Sequence, residues 1–543
     1  MANKRKIYTC DCETDPFLFG RVPEPFIWGV YTGSKFLHFD STNDFICWAV
    51  NQDVDFYAHN GGKFDFHFFL DKLQPTKNLK IINGRLAKFT LGLANFIDSY
   101  LIAPVPLKEI QKDDFDYTWL ERDFRAENME KIISYLRGDC VYLWNYLNHF
   151  FEIYGKSLTI AGAAMKQWKE FAPYIPKTNE KFFYQFQPYY YGGRVQPFKN
   201  GIFRGNFKYI DINSAYPFAM LSNHPYGTRF YETKRVLDRD LKKSFVHCKC
   251  NSQGALPVRV KGGGIQYPHG PGEFFVTGWE IIAGIKTGTI TNFEPIKYIV
   301  FEETENFSDY INHFYELKKQ SKAIGDNTTY LISKLFMNSL YGKFASNFDK
   351  YDEFALSEYG EKPEDYTTET LIAQTEHIDE PEERVKRINA LKWHLDGNIY
   401  DKELWARKLL DHKKYWYNVA TAASITGYVR AFLWESICQC KGVIYCDTDS
   451  IMCENIGSLA LGDELGQWSV DAEPIQIAIG GKKLYATWND DGSTKKACKG
   501  VRLNPGQIFQ VAKGREVVYE NPVPTFSLTN GITFQKRRIS KTV

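Results

Sequence analysis

The feature that most constrains this chain is a set of acids placed where apolar strands end. Val443-Ile444-Tyr445-Cys446-Asp447-Thr448-Asp449-Ser450-Ile451-Met452 reads as two apolar strands joined by an acidic turn. Three polar residues between such runs ordinarily make a plain hairpin. Yet Asp447 and Asp449 at one tip repel unless a counter-ion sits between them, and a metal relieves the cost. Upstream, Lys208-Tyr209-Ile210-Asp211-Ile212-Asn213-Ser214-Ala215-Tyr216-Pro217 ends another strand on an acid and turns into a helix that Ser214 can cap. Between them lies Lys334-Leu335-Phe336-Met337-Asn338-Ser339-Leu340-Tyr341-Gly342-Lys343. At about 100° per residue, Lys334, Asn338 and Tyr341 share one helical face. A cation, an amide and a ring on one stripe suit the triphosphate, sugar and base of a nucleotide. Standing alone, the segment would be an amphipathic helix with a solvated edge. Lys318, on the preceding helix, is a candidate second phosphate contact.

A second group of acids precedes these. Asp11 and Glu13 are two apart on an expected strand, so both carboxylates leave one face. Asp65 follows His59-Asn60-Gly61-Gly62-Lys63-Phe64, and Tyr135 and Asp139 are spaced i, i+4 on an expected helix. Each piece alone is a solvated strand face or a surface helix pair. Their order changes the reading: four carboxylates converging in one cleft require divalent cations. Two such cations about 4 Å apart activate a water and stabilise a leaving 3′ oxygen, with Tyr135 orienting the water.

This order resembles the three-motif 3′→5′ exonuclease domain of proofreading DNA polymerases. The resemblance implies that Thr14, Asn60 and Phe64 hold single-stranded DNA. It extends to Asp98-Ser99-Tyr100-Leu101 and Lys112-Asp113-Asp114-Phe115, where Ser99, Tyr100 and Lys112 would join them. The later segments resemble motifs A, B and C of family B DNA polymerases. Lys483-Leu484-Tyr485 is similar to the family's K-x-Y, and Tyr190-Tyr191-Gly192-Gly193 to the Y-x-G-G segment that links synthesis to proofreading. Carried over, Asp211 and Asp449 ligate two catalytic metals, Asp447 assists, and the Ile212 carbonyl completes the shell. Tyr216 stacks under the incoming sugar and excludes a 2′-hydroxyl. Lys334 holds the triphosphate, Tyr341 packs on the nascent pair, and Lys483 and Tyr485 grip the primer strand. Tyr190, Gly192 and Gly193 contact DNA. Mg²⁺ is the implied cofactor, two ions per site, with Mn²⁺ able to substitute. Ala215 departs from the family, which commonly has Leu there.

The chain is compact for that family and most resembles its protein-primed subgroup from phages and linear plasmids, of the tectivirus type. The implied fold is an α/β and α+β multidomain protein: an RNase H-like exonuclease domain, then a right-hand polymerase of palm, fingers and thumb with two insertions. The expected boundaries are 1–155 for the exonuclease, 156–222 and 416–509 for the palm, 305–346 for the fingers and 510–543 for the thumb. The insertions would be 223–304, the terminal-protein region, and 347–415, whose core 347–412 is charged and without regular pattern. The interval between motifs B and C exceeds that of the best-known relatives. Implied partners are template and primer DNA, deoxynucleotides and a terminal protein, with the chain a monomer or a heterodimer with that protein. The competing readings are a polymerase starting from nucleic-acid primers or de novo, a non-catalytic DNA-binding replication factor, and a nuclease alone.

Composition agrees without deciding. The 543 residues are 44% hydrophobic and 24% charged, which excludes a disordered or fibrous chain and fits several cores. With 67 Lys plus Arg against 65 Asp plus Glu, bulk charge neither announces nor excludes nucleic acid. No run of 18 apolar residues or signal-peptide core is found, and the 11 cysteines lack CxxC pairs. A soluble protein of the host-cell cytoplasm with reduced thiols is expected.

Overall fold

A computed structural model describes residues 5–111, 113–260, 262–410 and 417–541. Strand Lys6–Thr14, covered on both faces over its second half, is the third strand of a seven-stranded mixed sheet. The order is Phe36–Phe39, Pro25–Tyr31, Lys6–Thr14, Val54–Ala58, Ala94–Asp98, Arg85–Leu91, Lys80–Ile82. Lys6–Thr14, Val54–Ala58 and Ala94–Asp98 run parallel to one another, and the remaining pairings are antiparallel. Asn83-Gly84, a dipeptide suited to a tight hairpin, joins Lys80–Ile82 to Arg85–Leu91, with φ of 52° and 65° at the two turn residues. Helix Met129–Tyr154 buries a stripe of Ile132, Tyr135, Leu136, Asp139, Cys140 and Leu143. It lies so close to Pro25–Tyr31 that a Cβ at Gly29 would meet Leu136 Cγ at 2.7 Å. Only glycine admits that approach.

A second, antiparallel sheet has the order Trp468–Ala472, Lys208–Ile212, Ser450–Cys453, Tyr445–Asp447, Val195–Pro197. Helix Val419–Gln439 packs beneath it with most of its residues buried. A four-stranded antiparallel sheet of His224–Thr233, Ile290–Glu305, Ser244–Gln253 and His269–Thr277 adjoins it. One core joins these layers to the end of helix Met129–Tyr154 and to an antiparallel helix pair, Ser308–Ile324 and Asn327–Phe344. The pair turns at Gly325, φ 76°, and the Asp326 carboxylate caps the second helix by accepting from the Thr329 N–H. Downstream, Gly201–Arg204, Pro474–Gly481, Leu484–Asn489 and Thr494–Cys498 form a further sheet against helix Pro505–Ala512. Two short hairpins, Val517–Glu520 with Lys536–Ile539 and Thr525–Ser527 with Gly531–Thr533, end the described chain.

Two local expectations are corrected. Over its described residues, 347–410, the charged stretch is not irregular: it holds a three-stranded sheet, Asp352–Glu358, Lys402–Lys408, His394–Ile399, and helices Thr368–Thr375 and Pro381–Leu391. Its charges obscured this because several are paired inside; Arg407 bonds Glu353 at 2.8 Å and lies 3.4 Å over the Tyr366 ring. Ser214 does not cap its helix through its side chain, because its backbone is left-handed, φ 55°. Among the described residues, no helix is long and apolar enough to cross a membrane.

Candidate active sites

The first site gathers on the N-terminal sheet. Strand Lys6–Thr14 presents Asp11 and Glu13, and helix Met129–Tyr154 crosses it to present Asp139. Carboxylate oxygens of the three lie within 4.8 Å of one another. Asp65 stands behind them, 1% exposed, accepting from Cys12 Sγ at 3.3 Å and hydrogen-bonded to Asp11. Burial pushes its carboxyl up to about 6, against the pull of those hydrogen bonds. Three like charges so close in a half-buried cleft fit a divalent cation. Tyr135, one helical turn before Asp139, stacks on Phe115 with ring centroids 4.0 Å apart.

The loop before Asp65 is built for close approach. A Cβ at Gly62 would sit 2.2 Å from the Leu86 carbonyl oxygen, and Asn60 is left-handed, φ 67°. Arg85 donates to Asn60 Oδ1 at 2.8 Å and to the buried Asp98 carboxylate at 2.5 Å, and lies over the Tyr100 ring. Phe64 packs edge-on between Phe17 and Phe526, the latter from a C-terminal hairpin. Thr14 and Ser99 are turned inward: their hydroxyls donate to the Asp15 and Ala58 carbonyls. Lys112 lies outside the described residues.

The second site is set by register. Asp211 and Asp447 both pair with Ser450, one from each side, and the Ile212 N–H donates to the Asp449 carbonyl at 2.8 Å. Burial, then Asp449 and Asp471, push Asp211 up to about 7; burial, then Asp447, push Asp449 up to about 6. Acids crowded so that Asp449 raises Asp211 and Asp447 raises Asp449 fit a divalent cation. Lys483 Nζ bonds Asp447 at 2.8 Å, and its backbone N–H donates to the Tyr445 hydroxyl. Tyr485 points into the core, its hydroxyl 2.9 Å from that of Tyr209, so it supports the site from behind.

Tyr216 and Tyr341 stack above the acids. Lys334 and Asn338 are exposed on the same helix, and Lys318 is depressed by burial and by its neighbours Lys334 and Lys322. Among the described residues, seven other than glycine have positive φ, and Asn60, Ser214, Thr448 and Lys483 lie at these two sites. Strain collects where side chains must be aimed.

Behind the acidic turn is a buried network that sequence reasoning missed. The Thr448 N–H donates to the Arg194 carbonyl at 2.6 Å. Arg194 is buried between the Tyr267 and Trp434 rings and donates to the Gly254 carbonyl. Arg430 pairs with Glu280 at 2.8 Å, both 3% exposed, and donates to the Tyr191 and Gly192 carbonyls. Tyr190, Gly192 and Gly193 are thereby fixed against the turn. The available signal was Arg430, the one charged residue in the run 419–434.

With this geometry in place, comparison with known proteins is decisive. A family model described as DNA polymerase type B, organellar and viral, matches residues 116–392. The chain is 35% identical over 574 aligned positions to the DNA-directed DNA polymerase of Enterobacteria phage PRD1, covering 99% of this chain and 98% of that one. The chain belongs to the type B DNA polymerases of organelles and viruses. It is also 25% identical to the DNA polymerase of Bacillus phage phi29, over 64% of this chain and 68% of that one. A solved structure of phi29 DNA polymerase superposes with a TM-score of 0.70 at 18% identity, covering 99% and 100% of the two chains. The fold of exonuclease plus palm, fingers and thumb follows for this type B polymerase, and with it DNA-directed DNA synthesis and use of divalent metal.

Proposed function

We propose that this polymerase copies a linear genome from a terminal-protein primer and proofreads with a 3′→5′ exonuclease. The carrying observation is the coexistence of two separate acidic centres, Asp211 with Asp449 and Asp11 with Glu13 and Asp139. We read 1–155 as the exonuclease, 156–222 and 416–509 as palm, 305–346 as fingers and 510–543 as thumb. The segments 223–304 and 347–415 are the insertions, the former facing the terminal protein. The phi29 structure holds primer-template DNA and an incoming nucleotide, which supports the same ligands here.

Asp211, Asp449 and the Ile212 carbonyl at one centre, and the acids of the other, would hold two divalent ions each, Mg²⁺ by preference with Mn²⁺ substituting, which would supply activation of the attacking oxygen and stabilisation of the leaving one. The protein's own groups do the rest. In synthesis, Asp447 positions Lys483 beside the primer terminus. Lys334, Asn338 and Lys318 receive the triphosphate, Tyr216 bears on the sugar, and Tyr341 packs against the nascent pair. In proofreading, Asp11, Glu13, Asp65 and Asp139 form the acidic cradle and Tyr135 orients the attacking water. Asn60, Phe64, Tyr100 and Lys112 would line the single strand, with Thr14 and Ser99 shaping the wall. The reaction takes place in the host cytoplasm.

The test is deoxynucleotide attachment to purified terminal protein by the wild type and Asp449→Ala. Labelled terminal protein with the wild type alone supports the proposal. Extension of DNA primers without any labelling of terminal protein would replace it with a nucleic-acid-primed polymerase.

A further inference from the structure

One charged pair stands at the synthetic centre without a role in the account above. Asp471 is the extra residue of a β-bulge: Tyr209 faces Ala472 and Ile210 faces Val470, so Asp471 has no opposite number. A bulge breaks strand alternation and re-aims a side chain. Here the carboxylate stands across from Tyr209 and Ile210 on the strand that pairs with Lys208–Ile212, two residues beyond Ser469, the direct partner of Asp211. Lys495 comes from another element, strand Thr494–Cys498. Its Nζ lies 2.8 Å from Asp471 Oδ2 and 4.1 Å from the centre of the Tyr209 ring. Tyr209 precedes Asp211 by two positions, so both leave one face of the strand.

Both side chains are partly exposed, 38% for Asp471 and 43% for Lys495. Such a partly exposed pair contributes little to stability, so the fold does not depend on it. Its effect is on local charge. Left alone, Asp471 would add a third uncompensated carboxylate beside the two that face the catalytic cation.

We propose that Lys495 is a positioning residue of the synthetic centre, which neutralises Asp471 and so reserves the cation for Asp211 and Asp449. The proposal rests on the reading that those two acids hold the metal. Its test uses Lys495→Met, Asp471→Asn and the double variant, all in an Asp11→Ala, Glu13→Ala background that removes the other acidic centre. Two readouts are taken: Mn²⁺ binding by electron paramagnetic resonance, and single-nucleotide incorporation against Mg²⁺ concentration. Thermal unfolding confirms that each variant folds.

Lys495→Met should bind Mn²⁺ several-fold more tightly yet incorporate about tenfold more slowly, since the added charge attracts the ion and misplaces it. Adding Asp471→Asn should return both readouts to within about twofold of the parent. A double variant as impaired as Lys495→Met would overturn the proposal, because Lys495 would then act through its ring contact alone. Unchanged Mn²⁺ binding in Lys495→Met would overturn it as well. The underlying reading fails separately: Asp449→Ala that still binds Mn²⁺ at this centre and incorporates nucleotide would remove the metal site itself.

Discussion

Tyr216 and Tyr341 lie face to face, with ring centroids 4.1 Å apart and planes 9° from parallel. One ring follows the strand that carries Asp211 and the other lies near the end of the helix that carries Lys334, so the stack couples that strand to that helix. On the proposed function, the Tyr216 ring bears on the incoming sugar and would leave no room for a 2′-hydroxyl. Tyr216→Val should raise ribonucleotide incorporation at least about tenfold relative to deoxynucleotide, measured as the ratio of kcat/KM values. Tyr216→Phe, which keeps the ring, should keep the discrimination.

The elevated carboxyls set a pH dependence. Asp211, at about 7, and Asp449, at about 6, take up protons in the folded protein at a pH where an unfolded aspartate has already lost them. The metal-free fold therefore binds more protons than the unfolded chain between about pH 4 and 7, and its stability falls as pH rises through that window. Metal-free protein should melt at a higher temperature at pH 5 than at pH 7.5, and Asp211→Asn should flatten the difference. Calorimetry with chelator present checks both.

Glu280 and Arg430 form a nearly fully buried ion pair. Removing one partner leaves an uncompensated charge in the interior, at a cost of about 3–5 kcal/mol. Arg430→Met should lower the denaturation midpoint markedly, and Glu280→Gln should do so by less because it retains a hydrogen-bonding oxygen for Arg430. Incorporation should fall in both, since Arg430 also holds the Tyr191 and Gly192 carbonyls.

A Cβ at Gly193 would stand 2.6 Å from Thr448 Cγ2 and 2.8 Å from its Oγ1. Thr448 is already left-handed, φ 59°, so the turn between Asp447 and Asp449 has little freedom to yield. Gly193→Ala should reduce incorporation about tenfold or more while leaving single-strand degradation within about twofold. Parallel assays on primer-template and on single-stranded oligonucleotide separate the two.

Asp11→Ala combined with Glu13→Ala should abolish degradation of single-stranded DNA and leave incorporation intact. Persistent degradation in that double variant would remove the proofreading assignment.

What could be read from the residues was what local spacing encodes. Two acids at i, i+2 on a strand, an aromatic and an acid at i, i+4 on a helix, and Asn-Gly between apolar runs each fix a local geometry, and each was found. The resemblance then placed those pieces in one order. What escaped depends on distant partners. Asp471 reads as one more polar strand residue until the bulge opposite Tyr209 is known. Arg194 reads as a surface cation until Tyr267 and Trp434 enclose it. Tyr485, expected at the primer, faces inward because Tyr209 offers a buried hydroxyl on the next sheet. The strands of 352–408 were hidden by charges such as Glu353 and Arg407 that satisfy one another internally.

Leu356, Ile399 and Leu404 come from that charged segment, yet they complete the hydrophobic core of the N-terminal sheet, and Leu356 exchanges backbone hydrogen bonds with Thr76. The segment is therefore no detachable cassette. Excising it, or producing residues 1–155 in isolation, would strip a greasy patch bare, and the truncated product should clump unless those contacts were redesigned as polar. A change at these positions in either module has to preserve the shape the other presents to it.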